Sequence, residues 1–443
     1  MRYNKKQWLV ILIFILPILT FAQESSLPSG ANQPLELTVV REMKFENLIK
    51  DIALGTTIEE NKEFVYPRII FFDKEIIFYD KNSKDIARVS IETDKLPLPK
   101  VSFSPKGQYV GIKTYDSGKE MFKVYTEFGK MVSKTEIVTG TDQESWGWEF
   151  YISDKDGSFV ASYGKMNKLI FYDSIGNIKK EINLFEKTDY QLERGVSCTF
   201  SDDGKNLIVL ATKIANASFH EMPADTPYLY VILFDGKGNE LWRNPLEGNF
   251  YKAFSISSTG KFTCVGDDCQ NKDISSAHFY LFKNSGELIG KYNIKPSQPF
   301  APFCKFSNDE EFVVLANYNT IQLIETNTGK VLWTKQFPWN INRDMLKDGV
   351  RYIYGIDIAD SASTIGIVSF NYRLIENYWN HSSQQLDILN SKGELLFNQV
   401  FSESEKADLS LENRSFVFVS RDGNQVLLPL QKGIKFFEKY PGR

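Results

Sequence analysis

A short apolar strand that ends in a Ser-x-x-Gly turn recurs along this 443-residue chain. The clearest copy runs from Cys198 to Lys205, and its glycine, Gly204, suits a hairpin turn that needs a positive φ. The serine position falls at residues 104, 153, 201, 257, 307, 359 (an alanine) and 420, so successive copies are 48 to 61 residues apart. Short strands repeated at this spacing are typical of an array of β-units.

The strand before each turn has one apolar face. The residue directly before every serine position is apolar, and so is the residue three before it. Because side chains two apart in a strand point the same way, both columns lie on one face, which we expect to pack against a neighbouring unit. The columns are Phe103, Ile152, Phe200, Ile256, Phe306, Ile358 and Val419, and Val101, Phe150, Cys198, Phe254, Cys304, Ile356 and Val417.

A second hairpin follows the first in each unit. It has an apolar strand, a polar turn that ends in Gly and a further strand, as in Leu233-Phe-Asp-Gly-Lys-Gly-Asn239. Two hairpins give four antiparallel strands, which make one blade of a β-propeller. The sequence therefore predicts an all-β fold, a β-propeller of four-stranded antiparallel blades.

Two families of propeller repeats are similar to this pattern. The Phe-Ser-x-x-Gly-Lys hairpins resemble the WD40-like repeats of secreted propellers. The segments Gly-Asn-Glu-Leu-Trp242 and Gly-Lys-Val-Leu-Trp333 resemble the PQQ-like propeller repeat, whose tryptophan typically docks between blades. The resemblance covers roughly Arg68 to Tyr440, and it implies a propeller fold with structural roles for Trp242 and Trp333.

The number of blades depends on how the ring closes. The C-terminus offers three strands, so a strand from the N-terminal side must complete the last blade and remove its exposed edge. If Ile86–Ile91 supplies that strand there are seven blades, and if Leu35–Val40 supplies it there are eight. Seven is favoured, because residues 86–443 then give about 51 residues per blade. Apart from a closing strand, residues 35–64 are expected to be irregular.

The N-terminus has the pattern of a secretory signal peptide. Arg2, Lys5 and Lys6 precede an apolar run from Trp8 to Leu19, and we expect cleavage after Ala22. The run is short for the ~20 residues that span a bilayer, and no second long run follows, so no membrane span is expected in the mature chain. The protein is expected to be secreted or periplasmic.

Three segments follow from these patterns: a signal peptide at 1–22, a flexible leader rich in Ser, Gly and Pro at 23–34, and a single propeller domain at 35–443. Without the signal peptide the chain has 49 basic and 56 acidic residues, a net charge of −7. Nucleic-acid binding favours the opposite sign, so a nucleic-acid partner is not expected.

Strand order places the long connections on one face. If the strands of a blade are labelled a to d, the a–b and c–d turns share one face, and the b–c and d–a connections share the other. Five b–c or d–a segments are long, so we expect long irregular loops on a single face, where binding residues concentrate. They are Val138–Trp148, Thr212–Pro227, Gly266–Ala277, Phe337–Arg351 and Asn371–Gln384.

These segments carry the residue types that dominate recognition hot spots. The candidate binding residues are Trp146, Trp148, His220, Trp339, Arg343, Tyr372, Arg373, Tyr378, Trp379 and His381. In the competing interpretation, some of the aromatic residues only pin their own loops to the blades. The sequence favours a monomeric binding or scaffolding module whose partner is a protein, a peptide or a glycan.

The alternative function is an enzyme with a funnel-shaped site on the same face, since propellers host such sites. Signals for catalysis are few: three histidines are scattered along the chain, and no Gly-x-Ser-x-Gly motif occurs. We therefore predict no catalytic residues, no metal site and no cofactor, and leave enzymatic activity open.

Four cysteines are present, and export permits disulfides. Cys264 and Cys269 flank a four-residue segment and could close a small loop by a disulfide, or they could stay free. Cys198 and Cys304 hold the same repeat position in blades that are not neighbours, which is too far for a bond. We expect those two to be buried thiols of the core.

Overall fold

Eight four-stranded antiparallel sheets form from the described part of the chain, which lies within the compact unit Leu35–Arg443. Each sheet is one blade of a propeller. The computed structural model describes residues 37–47, 49–59, 62–72, 74–91, 100–116, 119–137, 148–163, 168–185, 196–212, 229–246, 250–271, 274–294, 303–317, 319–337, 350–375, 378–401 and 417–439.

Blades 1 to 7 each use four consecutive strands, in the order a to d. Blade 1 contains β2 (Asp51–Glu59), β3 (Lys62–Phe71), β4 (Glu75–Tyr79) and β5 (Asp85–Ser90). Blade 2 contains β6 (Lys100–Phe103), β7 (Tyr109–Asp116), β8 (Lys119–Thr126) and β9 (Met131–Glu136). Blade 3 contains β10 (Trp148–Ile152), β11 (Phe159–Tyr163), β12 (Lys168–Tyr172) and β13 (Ile178–Asn183). Blade 4 contains β14 (Val196–Phe200), β15 (Asn206–Thr212), β16 (Leu229–Asp235) and β17 (Glu240–Leu246).

The second half of the ring follows the same plan. Blade 5 contains β18 (Phe250–Ile256), β19 (Phe262–Asn271), β20 (Ile274–Lys283) and β21 (Leu288–Ile294). Blade 6 contains β22 (Phe303–Phe306), β23 (Phe312–Asn317), β24 (Thr320–Glu325) and β25 (Lys330–Gln336). Blade 7 contains β26 (Val350–Ile358), β27 (Ile365–Ile375), β28 (Tyr378–Leu389) and β29 (Leu395–Phe401), with a short 3₁₀ turn at Asp360–Ala362.

Blade 8 closes the ring with strands from both ends of the chain. It contains β30 (Phe418–Val419), β31 (Gln425–Leu430) and β32 (Gly433–Lys439), and β1 (Leu37–Lys44) supplies its outer strand. The register of β1 on β32 runs from Leu37 opposite Lys439 to Lys44 opposite Gly433. The ring therefore has eight blades, and the favoured count of seven is wrong. The closing strand β1 overlaps Leu35–Val40, the segment expected to close a ring of eight.

The stretch expected to be irregular contains regular strands. β2 and the start of β3 lie within residues 35–64 and pair with each other over nine positions, while β5 is the outer strand of blade 1 rather than the closing strand. In the pairing of β1 with β32 the register shifts between Val39 and Arg41, which leaves Val40 as an extra residue in β1. A β-bulge reverses the phase of the two-residue alternation, so β1 shows no clean period. The buried positions of β2 do alternate, but they include Asp51 and Gly55, so the alternation is not one of apolar side chains.

The core lies between blades. In blades 2 to 8, the two apolar columns of each a strand pack against the preceding blade, as predicted. Phe200 and Cys198 of blade 4, for example, share a cluster with Val160, Leu169 and Phe171 of blade 3. Each blade thus depends on its neighbour for a large part of its buried surface.

The repeated turn has the predicted geometry. Gly204 has a φ of 66°, and its amide donates to the carbonyl oxygen of Ser201 at 2.8 Å. The Ser201 hydroxyl accepts a hydrogen bond from the Asn206 amide at 3.1 Å, which links the two strand ends that flank the turn. In blade 6 the glycine position holds Glu310, which keeps the left-handed conformation with a φ of 63°.

Candidate binding face

The ring has two unlike faces. We call the side of the b–c and d–a connections the long-connection face, and the side of the a–b and c–d turns the short-turn face. The a strands of neighbouring blades contact each other, which places them innermost around a central channel. The a–b turns are short in blades 2 to 8. In blade 1 the a and b strands are longer and extend on the short-turn face as far as Glu59 and Lys62.

Two segments that we expected to be irregular loops are regular hairpins. Within Gly266–Ala277, β19 and β20 pair as far as Asn271 opposite Ile274. Within Asn371–Gln384, β27 and β28 pair as far as Ile375 opposite Tyr378. Continuing the strands satisfies backbone N–H and C=O groups that a loop would have to pair in other ways. Blades 5 and 7 therefore extend as β-hairpins on the long-connection face.

Five of the predicted binding residues lie in the blade 7 hairpin. Tyr372 pairs with His381 across the two strands, Arg373 pairs with Asn380, Trp379 pairs with Leu374, and Tyr378 pairs with Ile375. The ladder of this hairpin sets the backbone geometry of a segment for which we had predicted an irregular loop. Four further candidates lie outside the described residues: Trp146, His220, Trp339 and Arg343.

Trp148 is a packing residue, and its prediction as a binding residue is wrong. It is the first residue of β10, and only 3% of it is exposed. It belongs to the cluster between blades 2 and 3, with Phe122 and Phe150, whose rings stack at 4.0 Å. An indole in this position contributes to the core, and a partner on the surface cannot reach it.

Of the two alternatives for Cys264 and Cys269, a disulfide or free thiols, the disulfide is absent from the structure. Both residues lie in β19, five positions apart, and Cys264 is a free, fully buried thiol. A strand rises about 3.3 Å per residue, which puts the two Cα atoms ~16 Å apart, while a disulfide needs less than about 7 Å. Cys198 is buried in the core as predicted, and Cys304 is partly exposed.

The residues on the other face of the a strands were not predicted from the sequence. The position between the two apolar columns lies on the opposite face of each a strand, and none of its occupants is fully buried. Four carry hydroxyl groups, two are charged and the seventh is a phenylalanine, and the same period-two argument could have singled them out. From blade 2 to blade 8 they are Ser102, Tyr151, Thr199, Ser255, Lys305, Asp357 and Phe418.

One ion pair lies between two of these residues. The Nζ atom of Lys305 in blade 6 is 3.9 Å from Oδ1 of Asp357 in blade 7, and Oδ2 of Asp357 accepts the Val419 amide of blade 8 at 2.7 Å. Burial raises the pKa of the Asp357 carboxyl, against the effects of Lys305 and of the backbone hydrogen bonds. One carboxylate thus links three blades.

A second group of charges lies on the long-connection side of blades 2 and 3. Lys113 and Glu120 form a buried ion pair, with Nζ 3.3 Å from Oε1. Burial lowers the pKa of the Lys113 ammonium, while Glu120 opposes the shift. Lys100 approaches Glu149 of the next blade at 3.6 Å, so charge pairing continues across the interface.

The short-turn face is bound together by hydrogen bonds between the turns of adjacent blades. Asp154 of blade 3 accepts the Ser104 hydroxyl and the amides of Lys106 (2.6 Å) and Gln108 (3.2 Å) of blade 2. Glu310 of blade 6 accepts the Thr259 amide of blade 5 at 2.6 Å. These carboxylates are occupied within the protein, so they offer little to a partner.

The outer rim of the short-turn face carries exposed apolar side chains in two neighbouring blades. Phe128 and Ile175 lie in the c–d turns of blades 2 and 3 and are 67% and 68% exposed. The corresponding positions of blades 4 and 7 hold lysines, at 237 and 392. This rim is the rival to the long-connection face as a contact surface.

Comparison with solved structures supports a WD40-type propeller fold. The C-terminal WD40 domain of Sif2 matches with a TM-score of 0.52 at 10% identity, over 93% of this chain and 100% of that chain. The Dos1 propeller matches with a TM-score of 0.50 at 13% identity, over 91% and 95%. Identities this low establish the fold alone. No protein-family model matches the sequence, and no curated protein does.

Two further features bear on the class of site. Among the described residues, no group of three or more His, Cys, Asp or Glu side chains is arranged to hold a metal ion. In the same part of the chain, no helix has the length and apolar character that crossing a membrane requires.

Proposed function

We propose that this protein is an exported binding or scaffolding propeller that takes its partner on the long-connection face. The partner is a protein, a peptide or a glycan, and a protein is favoured, since WD40-type propellers generally act as scaffolds for protein interaction. Export rests on the signal-peptide pattern that ends at Ala22.

The difference between the two faces carries the proposal. On the short-turn face, Asp154 and Glu310 are hydrogen-bonded to neighbouring blades, and Asp173 and Asp235 are hydrogen-bonded within their own turns. On the long-connection face, the two strands of the blade 7 hairpin carry Tyr, Trp, Arg and His residues. Aromatic and arginine side chains on a rigid scaffold are the usual anchors of interfaces.

A capture experiment tests the choice of face. The partner is first isolated with the wild-type propeller from the native extracellular or periplasmic fraction. We expect Trp379→Ala combined with Arg373→Ala to abolish capture and to leave the circular dichroism spectrum and the thermal midpoint near wild type. Lys205→Glu combined with Lys330→Glu, in exposed short turns, should retain capture.

The rival rim gives the contradicting outcome. Phe128→Ser combined with Ile175→Ser changes the exposed apolar side chains of the short-turn face and should also retain capture. The proposal is wrong if this variant loses capture while the variant with Trp379→Ala and Arg373→Ala retains it, because the partner then binds the short-turn face. Export is tested separately by N-terminal sequencing of the native protein, which should begin at Gln23.

The second candidate function is an enzyme with a funnel-shaped site, and the Lys305–Asp357 pair favours it. A carboxyl of raised pKa beside an ammonium group is a combination that acid–base catalysts use. Asp357→Asn separates the two functions, because it removes a carboxylate of this pair and changes no residue of the hairpin. We expect this variant to capture the partner normally. If the wild type chemically converts the captured partner and the Asp357→Asn variant does not, the result supports the enzyme instead.

A further inference from the structure

Two free thiols face each other across the interface between blades 5 and 6. Cys264 lies in β19 of blade 5 and Cys304 in β22 of blade 6. The thiol of Cys304 donates to the carbonyl oxygen of Cys264, with Sγ 3.5 Å from that oxygen. Both side chains belong to the same core cluster, which includes Phe279 and Leu315.

The other two cysteines are placed apart from this pair. Cys198 belongs to the separate cluster between blades 3 and 4. Cys269 is in the same strand as Cys264 but five residues further along, about 16 Å at the rise of an extended strand. In the described structure, the cysteine that Cys264 meets is Cys304.

We infer that Cys264 and Cys304 become joined by a disulfide that cross-links blades 5 and 6 in the mature protein. The inference rests on the proposed export, because disulfides persist in oxidising compartments. The two sulfur atoms start from the same side of one packed interface, so side-chain rotation and a small shift of two strands suffice. The bond would fix the base of the blade 5 hairpin to the next blade.

The chemistry is thiol–disulfide exchange with an external disulfide, such as oxidised glutathione or a disulfide oxidoreductase. One cysteine thiolate attacks the external disulfide, forms a mixed disulfide and releases one thiol. The second cysteine thiolate then displaces the other half of the reagent. The two cysteines lose two protons and two electrons, and the reagent leaves as two thiols.

Burial in the closed ring affects when the bond forms. Cys264 is fully buried, and its burial, together with its contact with Cys304, raises the pKa of its thiol well above the usual value. Little Cys264 thiolate is then present at neutral pH, whereas Cys304 is partly exposed, so Cys304 is the cysteine that reacts with the external reagent first. Cys264 becomes accessible for the second step when blades 5 and 6 separate, so the bond forms faster during folding than in the folded, reduced protein.

Refolding in a defined redox buffer tests the geometry independently of export. The purified chain is reduced, denatured and refolded with oxidised and reduced glutathione, and free thiols are alkylated. We expect peptides linked through Cys264 and Cys304, with Cys198 and Cys269 alkylated. Cleavage before Asp267 separates Cys264 from Cys269, so the two pairings give different peptides. Four alkylated cysteines, or a bond to Cys198 or Cys269, would overturn the inference.

Single substitutions provide the matched controls. Reduction should lower the thermal midpoint of the oxidised wild type by several degrees, because the cross-link constrains the unfolded chain. Cys304→Ser should abolish this dependence, and Cys198→Ser should keep it. If Cys304→Ser does not fold, the peptide map of the wild type still decides. A bond that forms on refolding but is absent from the native protein refutes the proposed export rather than the pairing.

Discussion

At the scale of single residues, polar side chains of the turns hold neighbouring blades together. Glu310 occupies the last position of the a–b turn, which is glycine in most of the other blades. Its φ of 63° is a left-handed conformation that is strained for a residue with a side chain. In return its carboxylate is only 5% exposed and accepts the amide (2.6 Å) and the hydroxyl (2.8 Å) of Thr259 in blade 5. One side chain thus replaces a glycine and adds a contact between blades.

Glu310 should make the stability of the ring depend on pH. Burial alone would raise its pKa, but the hydrogen bonds from Thr259 and Ser257 and the charge of Lys261 outweigh it, so the pKa is lowered from 4.5. A lowered pKa in the folded state gives stability at neutral pH that is lost as the pH falls below about 4.5. We expect Glu310→Gln to reduce the free energy of unfolding by about 1–3 kcal/mol at pH 7, and by less at pH 3.5.

Urea denaturation at the two pH values measures this difference, and Glu311→Gln is the control, since Glu311 is exposed next to Glu310. An equal loss at both pH values for Glu310→Gln would show that the charge of this carboxyl does not matter.

At the scale of strands and turns, the outer strand of one blade docks on the c–d turn of the next. The indole of Trp242 in β17 donates to the Asn284 carbonyl of blade 5 at 2.7 Å, and the indole of Trp333 in β25 donates to the Ser391 carbonyl of blade 7 at 2.8 Å. A Cβ atom on Gly286 would lie 2.8 Å from the Trp242 ring, so the turn needs glycine there. The docking that the repeat resemblance implied is present at both tryptophans.

Trp242→Phe should weaken the contact between blades 4 and 5. The change keeps an aromatic ring and removes the N–H donor, which leaves the Asn284 carbonyl without this partner. We expect a loss of about 0.5–1.5 kcal/mol in the free energy of unfolding, measured by urea denaturation. Leu241→Ala is the matched control, because Leu241 is adjacent in the same strand and half exposed. A larger effect from the control would mean that the hydrogen bond contributes little.

At the scale of the whole molecule, the ring is held closed by β1. Without β1, β32 would become an exposed edge strand with unpaired backbone groups. Blade 8 also packs against blade 1 through an apolar surface that includes Leu427, Phe436 and Ile70. Loss of β1 from blade 8 would loosen this interface and expose that surface to water. Closure therefore protects both the backbone of the last blade and the core beside it.

Truncation tests this closure. Deletion of residues 1–34 should leave the thermal midpoint of the propeller within about 2 °C of the protein that retains residues 23–34, since β1 begins at Leu37. Deletion of residues 1–44 should lower the midpoint strongly and increase aggregation, because an edge is opened. Thermal unfolding and light scattering measure both effects. Equal behaviour of the two truncated chains would show that β1 does not close the ring.

The sequence alone determined the repeating unit of this protein, the four-stranded blade. The turn glycines, the apolar columns of the a strands and the short c–d turns are local patterns, so the blade and the two-faced ring could be predicted from them. The residues of the blade 7 hairpin were also found from residue type and position, although their regular strands were not.

Only the tertiary structure decided the features that depend on residues distant in the sequence. A bulge at Val40 in β1, and Asp51 and Gly55 at buried positions of β2, hid the strands of the last and first blades, so the number of blades required the pairing of β1 with β32. The burial of Trp148 and the meeting of Cys264 with Cys304 depend on which side chains a neighbouring blade presents. A local pattern states which face of a strand is apolar, but packing between blades decides what that face meets.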